Sequence, residues 1–447
     1  MNADPLPAIA PRATLATLAT LMLAVFTVSI GYGIVLPLLP YLIERLLGPE
    51  VASASVSRHT GLLTGAYALA LFLFAPLWGV ASDRFGRRRI ILLGLLGFSV
   101  TMLVSSFTEG LPMIYVERIL SGAFAAAVTP VAAAAVSECA PSDHVRARRL
   151  AFVSMAGMTG FLLGPMFSVF ISRLAAEFVT TVQPTGSLRF PLAMTAGLAL
   201  VVSVAAAFAI PRARSAERRG QGPLASVRAN GWLVARLLAL TSIVSMGIGV
   251  FEVGLALRGK QELGLAPYQI AMMFSECSLV MFVVQAIVFS PGFKPALSRW
   301  VIAPALATLA AALAFVPWAS DFALMLAVVA AVAASAGILS PVLTYWISSK
   351  AGNAQGWELG KQTAAASLGV TIGSAAGGLF FNVTALPGAS FFIAAALAAL
   401  GFLLSLRLPH LLVTGARSER ARVNPNLDDQ RRTGDPDVEA RDQTRSL

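Results

Sequence analysis

The feature that most constrains this chain is a short charged segment, residues 79–89 (GVASDRFGRRR), between two long apolar stretches. The stretches, 61–78 and 90–107, are each about 18 residues long, enough for a helix to cross the hydrocarbon core of a bilayer. A charged loop this short between two spans must lie at a membrane surface. Its four arginines, against the single acid Asp83, predict that this surface is the cytoplasmic one.

The composition indicates that lipid is the solvent for most of the chain. Hydrophobic residues make up 57% of the sequence and charged residues 12%, and the mean hydropathy is +0.77. A soluble domain has about 25% charged residues. The net charge of +11 lies in loops and in the C-terminal segment rather than on a basic face, so no nucleic-acid partner is expected. Cysteine and histidine spacings give no disulfide framework and no metal site.

Apolar stretches of helical length recur along the chain, and we predict an all-α integral membrane protein with twelve transmembrane helices. The predicted spans lie near 15–43, 61–82, 90–107, 112–138, 147–173, 190–210, 233–257, 267–290, 300–318, 322–348, 360–382 and 388–407. The predicted organisation is an N-terminus (1–14), a six-helix bundle (15–210), a linker (211–232), a second six-helix bundle (233–407) and a disordered tail (408–447).

The distribution of lysine and arginine orients this arrangement. With twelve spans, one face receives about three times as many of these residues as the other, so both termini are predicted to be cytoplasmic. The first apolar stretch is too long for a signal-peptide core and is expected to remain as the first span. The alanine and arginine bias suggests a bacterial source, and we expect a multi-pass monomer in the inner (plasma) membrane.

The two halves of the chain resemble copies of one unit offset by roughly 210 residues. Pro130 in the fourth span corresponds to Pro341 in the tenth. Gly164 in the fifth span corresponds to the region 373–377 in the eleventh. The repeat predicts two pseudo-symmetric bundles that enclose a shared site.

The loop after the second span resembles the loop between helices two and three of the major facilitator superfamily, through Gly79, Asp83, Arg84, Gly86, Arg87 and Arg88. The first span, SIGYGIVLPLLP, is similar to that of twelve-span drug:proton antiporters of the tetracycline-efflux type. The fourth and fifth spans carry residues similar to that branch's arginine and antiporter motifs: Arg118 and Gly122, then Gly160, Gly164 and Pro165. The resemblance covers about 15–407 and implies the major facilitator fold and secondary active transport.

The sequence also departs from the tetracycline exporters. Val28 stands where those proteins carry an aspartate in the first helix, and Ser168 and Val169 replace a glycine pair after Gly164-Pro165. The resemblance therefore does not carry over the substrate of that subfamily.

The charged loop is interpreted as a gate. The resemblance implies that Asp83 faces the N-terminal end of the eleventh helix, near Gly360, where the helix dipole is positive. Arg87 is expected to pair with Glu138 at the end of the fourth span, while Gly79 and Gly86 allow close approach and a tight turn. The alternative is that the arginines only fix topology.

Three charges inside apolar spans are candidates for function. Arg118 requires a partner or a wet cavity. Because neighbours on a helix project in different directions, that partner is expected on another helix. The alternative is a structural pair with the adjacent Glu117 region or with a backbone carbonyl. Glu252 and Glu276 are candidates for proton coupling or cation recognition. The alternatives are that Glu252 is wet near the outer mouth and that Glu276 makes a helix–helix contact.

An adaptable pocket for organic compounds is predicted around these acids, since methionine and aromatic side chains suit loosely shaped ligands. The candidates are Tyr32, Tyr67, Met246, Phe251, Phe274, Met281, Gln285, Tyr345 and Trp346. The same residues are equally suited to packing helices or facing lipid.

Together these features favour a proton-coupled exporter of small organic or drug-like compounds that works by alternating access, with the proton as coupling ion and no other cofactor. Uptake or facilitated transport of a nutrient by the same fold remains open at this point. A membrane enzyme or sensor is disfavoured, because no loop combines paired catalytic acids, a metal cluster or a nucleophile with a base.

Overall fold

The computed structural model describes residues 15–48, 50–107, 110–138, 143–178, 189–211, 231–288, 298–350 and 355–409. Within these ranges the secondary structure is helical. The α-helices are α1 (Leu15–Val35), α2 (Leu39–Leu47), α3 (Ser53–Phe85), α4 (Arg87–Phe107), α5 (Leu111–Ala125), α6 (Thr129–Glu138), α7 (Asp143–Phe178), α8 (Arg189–Ala209), α9 (Gly231–Gln261), α10 (Pro267–Val288), α11 (Ser298–Phe315), α12 (Phe322–Lys350), α13 (Gln355–Leu379) and α14 (Ala389–Ser405).

Two pairs of consecutive helices continue one another, so these fourteen helices make twelve spans. A 3₁₀ turn, Leu36–Leu38, joins α1 to α2 at Pro37, whose missing N–H interrupts the α-helix. A short turn likewise joins α5 to α6. Ten spans among the described residues are long and apolar enough to cross a membrane; the other two are α13 and the 17-residue apolar helix α14. The predicted all-α membrane fold is confirmed.

The charged loop is shorter than the sequence suggests. Helix α3 continues through Gly79 to Phe85, and α4 begins at Arg87, so Gly86 alone makes the turn. Gly86 has a φ of 93°, which favours glycine, and its N–H donates to the carbonyl of Ser82. The prediction that Gly79 allows a close approach is wrong for this conformation, because a Cβ there would have nothing within 4 Å. We call residues 79–89 the basic turn.

The two halves contain glycine-packed helix pairs at corresponding positions. In the N-terminal half (α1–α8), α7 lies against α1, and a Cβ at Gly164 would be 2.8 Å from the carbonyl oxygen of Ile30. In the C-terminal half (α9–α14), α13 lies against α9 through Gly369 and Gly373. Gly160 and Gly164 precede Gly369 and Gly373 by the same 209 residues, so the repeat seen in the sequence has the same packing role in both halves.

The two halves meet mainly where α3 packs on α13 and where α7 packs on α10. At the first contact a Cβ on Gly61 would lie 2.5 Å from the carbonyl oxygen of Ser374 and 2.7 Å from the Cα of Gly378. Small residues on both helices let their backbones approach closely, which is how helices associate where lipid removes the hydrophobic driving force.

Replacing Gly164 by alanine is expected to destabilise the protein, because the new methyl group would overlap the backbone of α1. Overpacking of this kind costs about 1–3 kcal/mol. The matched control is Gly79→Ala, a helical glycine with open space around it, which should be neutral or slightly stabilising. Thermal unfolding of both variants in detergent tests this; equal midpoints would contradict the packing role of Gly164.

Candidate functional site

A cluster of aromatic residues surrounds one hydrogen bond between the two halves. The hydroxyl of Tyr32 in α1 donates to a carboxylate oxygen of Glu252 in α9 at 2.8 Å. The Tyr32 ring stacks on Tyr67 of α3 and Phe161 of α7, with centroids 4.8 Å and 5.7 Å apart. Tyr32 and Glu252 are only partly buried. The site therefore joins a carboxylate of the C-terminal half to stacked aromatic rings of the N-terminal half.

The buried Arg118 lies next to one of these rings. Arg118 in α5 is 2% exposed, and its guanidinium lies 5.5 Å from the centroid of the Tyr67 ring, a cation–π contact. Its Nε and Nη2 each donate to a different carboxylate oxygen of Glu117 at 2.6 Å. Glu117 is itself 5% exposed. The two residues form a bidentate, charge-assisted pair inside the N-terminal half.

The expectation that the charge partner of Arg118 comes from another helix is wrong. Neighbouring residues leave a helix about 100° apart, but the long side chains of Arg118 and Glu117 bridge that angle. Tyr67 is the contact that another helix supplies. The Glu117 pairing is the alternative that the sequence left open. The stacking of Phe161 on Tyr32 did not follow from the sequence, since spacing alone does not give side-chain conformation.

Gly122 brings these groups together. A Cβ at this position would lie 2.5 Å from the carbonyl oxygen of Tyr67 and 2.9 Å from the Cβ of Ala70. Only glycine therefore allows α5 to approach α3 this closely. The two residues of the fourth-span motif act together, because the approach at Gly122 places Arg118 against the Tyr67 ring one turn away.

Helix α10 of the C-terminal half adds a further aromatic ring to this cluster. Phe274 is fully buried and meets Phe161 edge to face, with centroids 6.4 Å apart. The hydroxyl of Ser275 donates to the carbonyl of Leu162 at 3.1 Å. Next to it, one carboxylate oxygen of Glu276 is buried without a hydrogen-bond partner in the described part of the chain.

Several predicted pocket residues do not join this cluster. Phe251 is buried in the core of the C-terminal half. Met246 packs with its backbone against Gly373, and Met281 packs likewise against Gly337. Gln285 is buried farther along α10.

Tyr345 and Trp346 lie elsewhere, near the end of α12. The indole of Trp346 donates to the hydroxyl of Ser298 at the start of α11, at 3.0 Å, and Tyr345 is exposed. Of the nine pocket candidates, only Tyr32, Tyr67 and Phe274 therefore belong to the aromatic cluster. Apolar residues in core, lipid-facing and cavity-facing positions have the same sequence pattern, which is why the others were not distinguished.

The basic turn makes contacts within itself and with α8 in this conformation. Asp83, whose side chain is 66% exposed, forms an ion pair with Arg87 at 2.5 Å. Arg88 donates to the carbonyl of Ala207, and Arg84 lies 5.4 Å from the centroid of the Phe85 ring. The side chain of Glu138 lies outside the described residues, as do those that begin α13. Pairing of Arg87 with Glu138, and of Asp83 with α13, therefore stay predictions.

At the opposite end of the spans, polar contacts hold the two halves together. Lys260 of α9 binds the carboxylate of Glu44 and donates to the carbonyl of Pro40 at 2.9 Å. Its ammonium lies 5.0 Å from the centroid of the Tyr41 ring. Gln261 hydrogen-bonds to Ser57 of α3. We call this end, formed by Tyr41, Glu44, Ser57, Lys260 and Gln261, the closed end.

Residues 21–357 match the profile of the Major Facilitator Superfamily. The chain belongs to this superfamily of transporters. Multidrug resistance protein 2 of Bacillus subtilis is 27% identical, covering 80% of this chain and 87% of the relative. Quinolone resistance protein NorA of Staphylococcus aureus is 23% identical, covering 80% and 88%. These similarities confirm the predicted family and its drug-transporting branch.

Solved structures of the superfamily share the fold. The human organic anion transporter MFSD10 has a TM-score of 0.64 at 19% identity, covering 87% of this chain and 99% of that one. The xylose transporter XylE of E. coli, in a partially occluded inward-open conformation, has a TM-score of 0.64 at 18% identity, covering 87% and 98%. At these identities the likeness extends to the fold and not to the transported compound.

Removing one partner of the Glu117–Arg118 pair is expected to destabilise the transporter strongly. Arg118→Met leaves a buried carboxylate without its counter-charge, which costs about 3–5 kcal/mol. The double variant Glu117→Gln/Arg118→Met removes both charges and should recover most of that loss. Thermal unfolding in detergent measures the difference; a double variant as unstable as the single one would show that the pair is not the source of the effect.

Weakening the closed end is expected to shift the transporter towards a conformation in which that end is open. Lys260→Gln removes the ion pair with Glu44 and the contact with the Tyr41 ring. In a variant lacking Cys139 and Cys277, a cysteine at Thr371, which faces Gly65 across the α3–α13 contact, should react faster with a thiol reagent added at the closed end. Arg58→Gln, an equal charge change at an exposed residue of the same end, should leave the rate unchanged.

Proposed function

We propose that this transporter exports small organic, drug-like compounds in exchange for protons. It works as a monomer in a bacterial inner membrane, by alternating access between its two halves. Both termini and the basic turn lie on the cytoplasmic side, and the closed end faces the exterior. The excess of lysine and arginine on the side of the basic turn supports this orientation.

The direction of transport is supported by the relatives. Multidrug resistance proteins 1 and 2 of Bacillus subtilis match 82% and 80% of this chain, respectively. The quinolone resistance proteins match over a similar share of the chain. Resistance follows from removal of a compound from the cell, so export is the use of the fold that these similarities favour over nutrient uptake.

The observation that carries the proposal is the Tyr32–Glu252 hydrogen bond within the aromatic cluster. A partly exposed carboxylate beside stacked rings suits an aromatic cation, because the ring faces and the carboxylate both attract positive charge. The same carboxylate is a binding site for a proton. A proton and a cationic compound that compete for Glu252 cannot both occupy it, and this competition is the simplest basis for exchange.

Transport by inverted membrane vesicles tests this function. A fluorescent aromatic cation such as ethidium, and a quinolone, are added outside vesicles whose interior is acidic. The wild-type transporter should accumulate one or both inside. Glu252→Gln should lose this response to the pH gradient, since the amide cannot exchange a proton.

The matched control is Glu262→Gln on the same segment of chain, since Glu262 is exposed and pairs with Arg258 near the closed end. It should transport like the wild type. Accumulation that is indifferent to the pH gradient in the wild type would rule out proton coupling, and accumulation of neither compound would argue against drug export.

A further inference from the structure

A cavity lies inside the N-terminal half, apart from the aromatic cluster. Its mouth is at the closed end, where α2, α4, α5 and α8 have their termini, and it is bordered there by Arg45, Ser105 and Arg189. Its walls are apolar side chains of α1, α2, α5 and α8, among them Met113 of α5. Its lining includes Glu117, the partner of Arg118.

The size of this cavity suits water. The space open to the centres of water molecules has a volume of about 50 Å³, and one water requires about 10–15 Å³ of such space. A few waters can therefore form a chain between the mouth and Glu117. Glu117 supplies the charged group that hydrates the inner end of this otherwise apolar passage.

The charged and titratable groups around Glu117 come from four helices. Arg118 on its own helix pairs with it, Arg45 of α2 and Arg189 of α8 contribute positive charge at the mouth, and Tyr67 of α3 lies beyond Arg118. Helix α4 contributes Ser105, which does not titrate in this range.

Glu117 and Glu252 lie at opposite ends of one contact chain. It runs from Glu117 to Arg118, over the ring of Tyr67 to the stacked ring of Tyr32, and ends at Glu252 in the other half. The guanidinium between the two carboxylates is a positive barrier, which prevents protons from passing directly from one to the other. A shift of Arg118 changes both ends of the chain.

We propose that Glu117 is a second proton site of this transporter, loaded from the closed end through a water-filled route within the N-terminal half. The proton passes from a hydronium ion in the cavity to a carboxylate oxygen of Glu117, which leaves water and a neutral carboxyl group. The ion pair with Arg118 is lost, and the guanidinium is free to move against the Tyr67–Tyr32 stack. The contacts between the two halves at the closed end do not have to open for this step. The inference rests on the proposed proton-coupled function.

Purified transporter in proteoliposomes tests the site with two readouts, using ethidium as the probe. One is accumulation driven by a pH gradient. The other is exchange of external for internal ethidium without a gradient, which requires alternating access but no net proton transfer. Glu117→Gln keeps an oxygen that can accept from the guanidinium of Arg118, and both rates are expressed per folded transporter because this variant is expected to be less stable. On that basis it should lose gradient-driven accumulation and retain exchange.

A second pair of variants tests the route and keeps Glu117 in place. Met113→Trp fills the passage and should slow gradient-driven accumulation while exchange continues at the wild-type rate. Val116→Trp adds the same side chain on the same helix at a position that is 45% exposed on the outer surface. It should behave like the wild type in both assays.

The outcomes separate this inference from the proposed function. A wild-type transporter that ignores the pH gradient contradicts the proposed function, and with it this proton site. If the wild type responds to the gradient and Glu117→Gln responds equally, Glu117 is not a proton site. If Met113→Trp and Val116→Trp accumulate ethidium at the same rate, the route does not run through this cavity.

Discussion

The ion pair between Glu117 and Arg118 is the interaction on which the arrangement of the site depends. An arginine inside a membrane-embedded bundle is costly unless a counter-charge is supplied by the protein. Here the neighbouring residue supplies it, with both carboxylate oxygens. The guanidinium therefore needs no acid from another helix, and its face is left to lie over Tyr67. Tyr67 in turn stacks on Tyr32, whose hydroxyl reaches Glu252. A continuous series of contacts thus runs from the Glu117–Arg118 pair in the N-terminal half, over two stacked rings and one hydrogen bond, to Glu252 in the C-terminal half.

Close glycine packing occurs within each half and also between them, where α3 meets α13 through Gly61 and Gly378. Glycines bring α7 onto α1 and α13 onto α9 with backbone-to-backbone proximity, and close packing of this sort has few alternative arrangements. The hydrogen bonds and ion pairs described between the halves lie at the centre of the spans and at the closed end. Polar contacts near a membrane surface are readily exchanged for water. Motion of the two halves as bodies, with little change inside either, has to separate α3 from α13 as well as to exchange these polar contacts.

The spans were predictable because a helix needs about 20 apolar residues to cross the hydrocarbon core of the bilayer. Stretches of that length and composition can be recognised from hydropathy alone. The correspondence of Gly164 with the region that contains Gly373 followed from the repeat. Side-chain partners did not follow. Arg118 and Glu117 are adjacent in sequence, and only the folded backbone shows that their side chains turn towards each other. Phe251 and Tyr32 have similar apolar neighbours in the sequence, yet one is buried in a core and the other faces Glu252. Gly79 and Gly86 both fit a turn, but the helix runs through the first and stops at the second.

The closed end explains how a small input can change the conformation. Its ion pair joins Lys260 to a Glu44 side chain that is 48% exposed, and exposed pairs of this kind contribute about 0–1 kcal/mol. The other polar contacts there are neutral hydrogen bonds and one cation–π contact, each of modest net value. Together these polar contacts contribute no more than about a few kcal/mol to keeping this end closed. Binding of a proton or a compound that prefers a conformation in which this end is open by a similar amount then offsets their contribution.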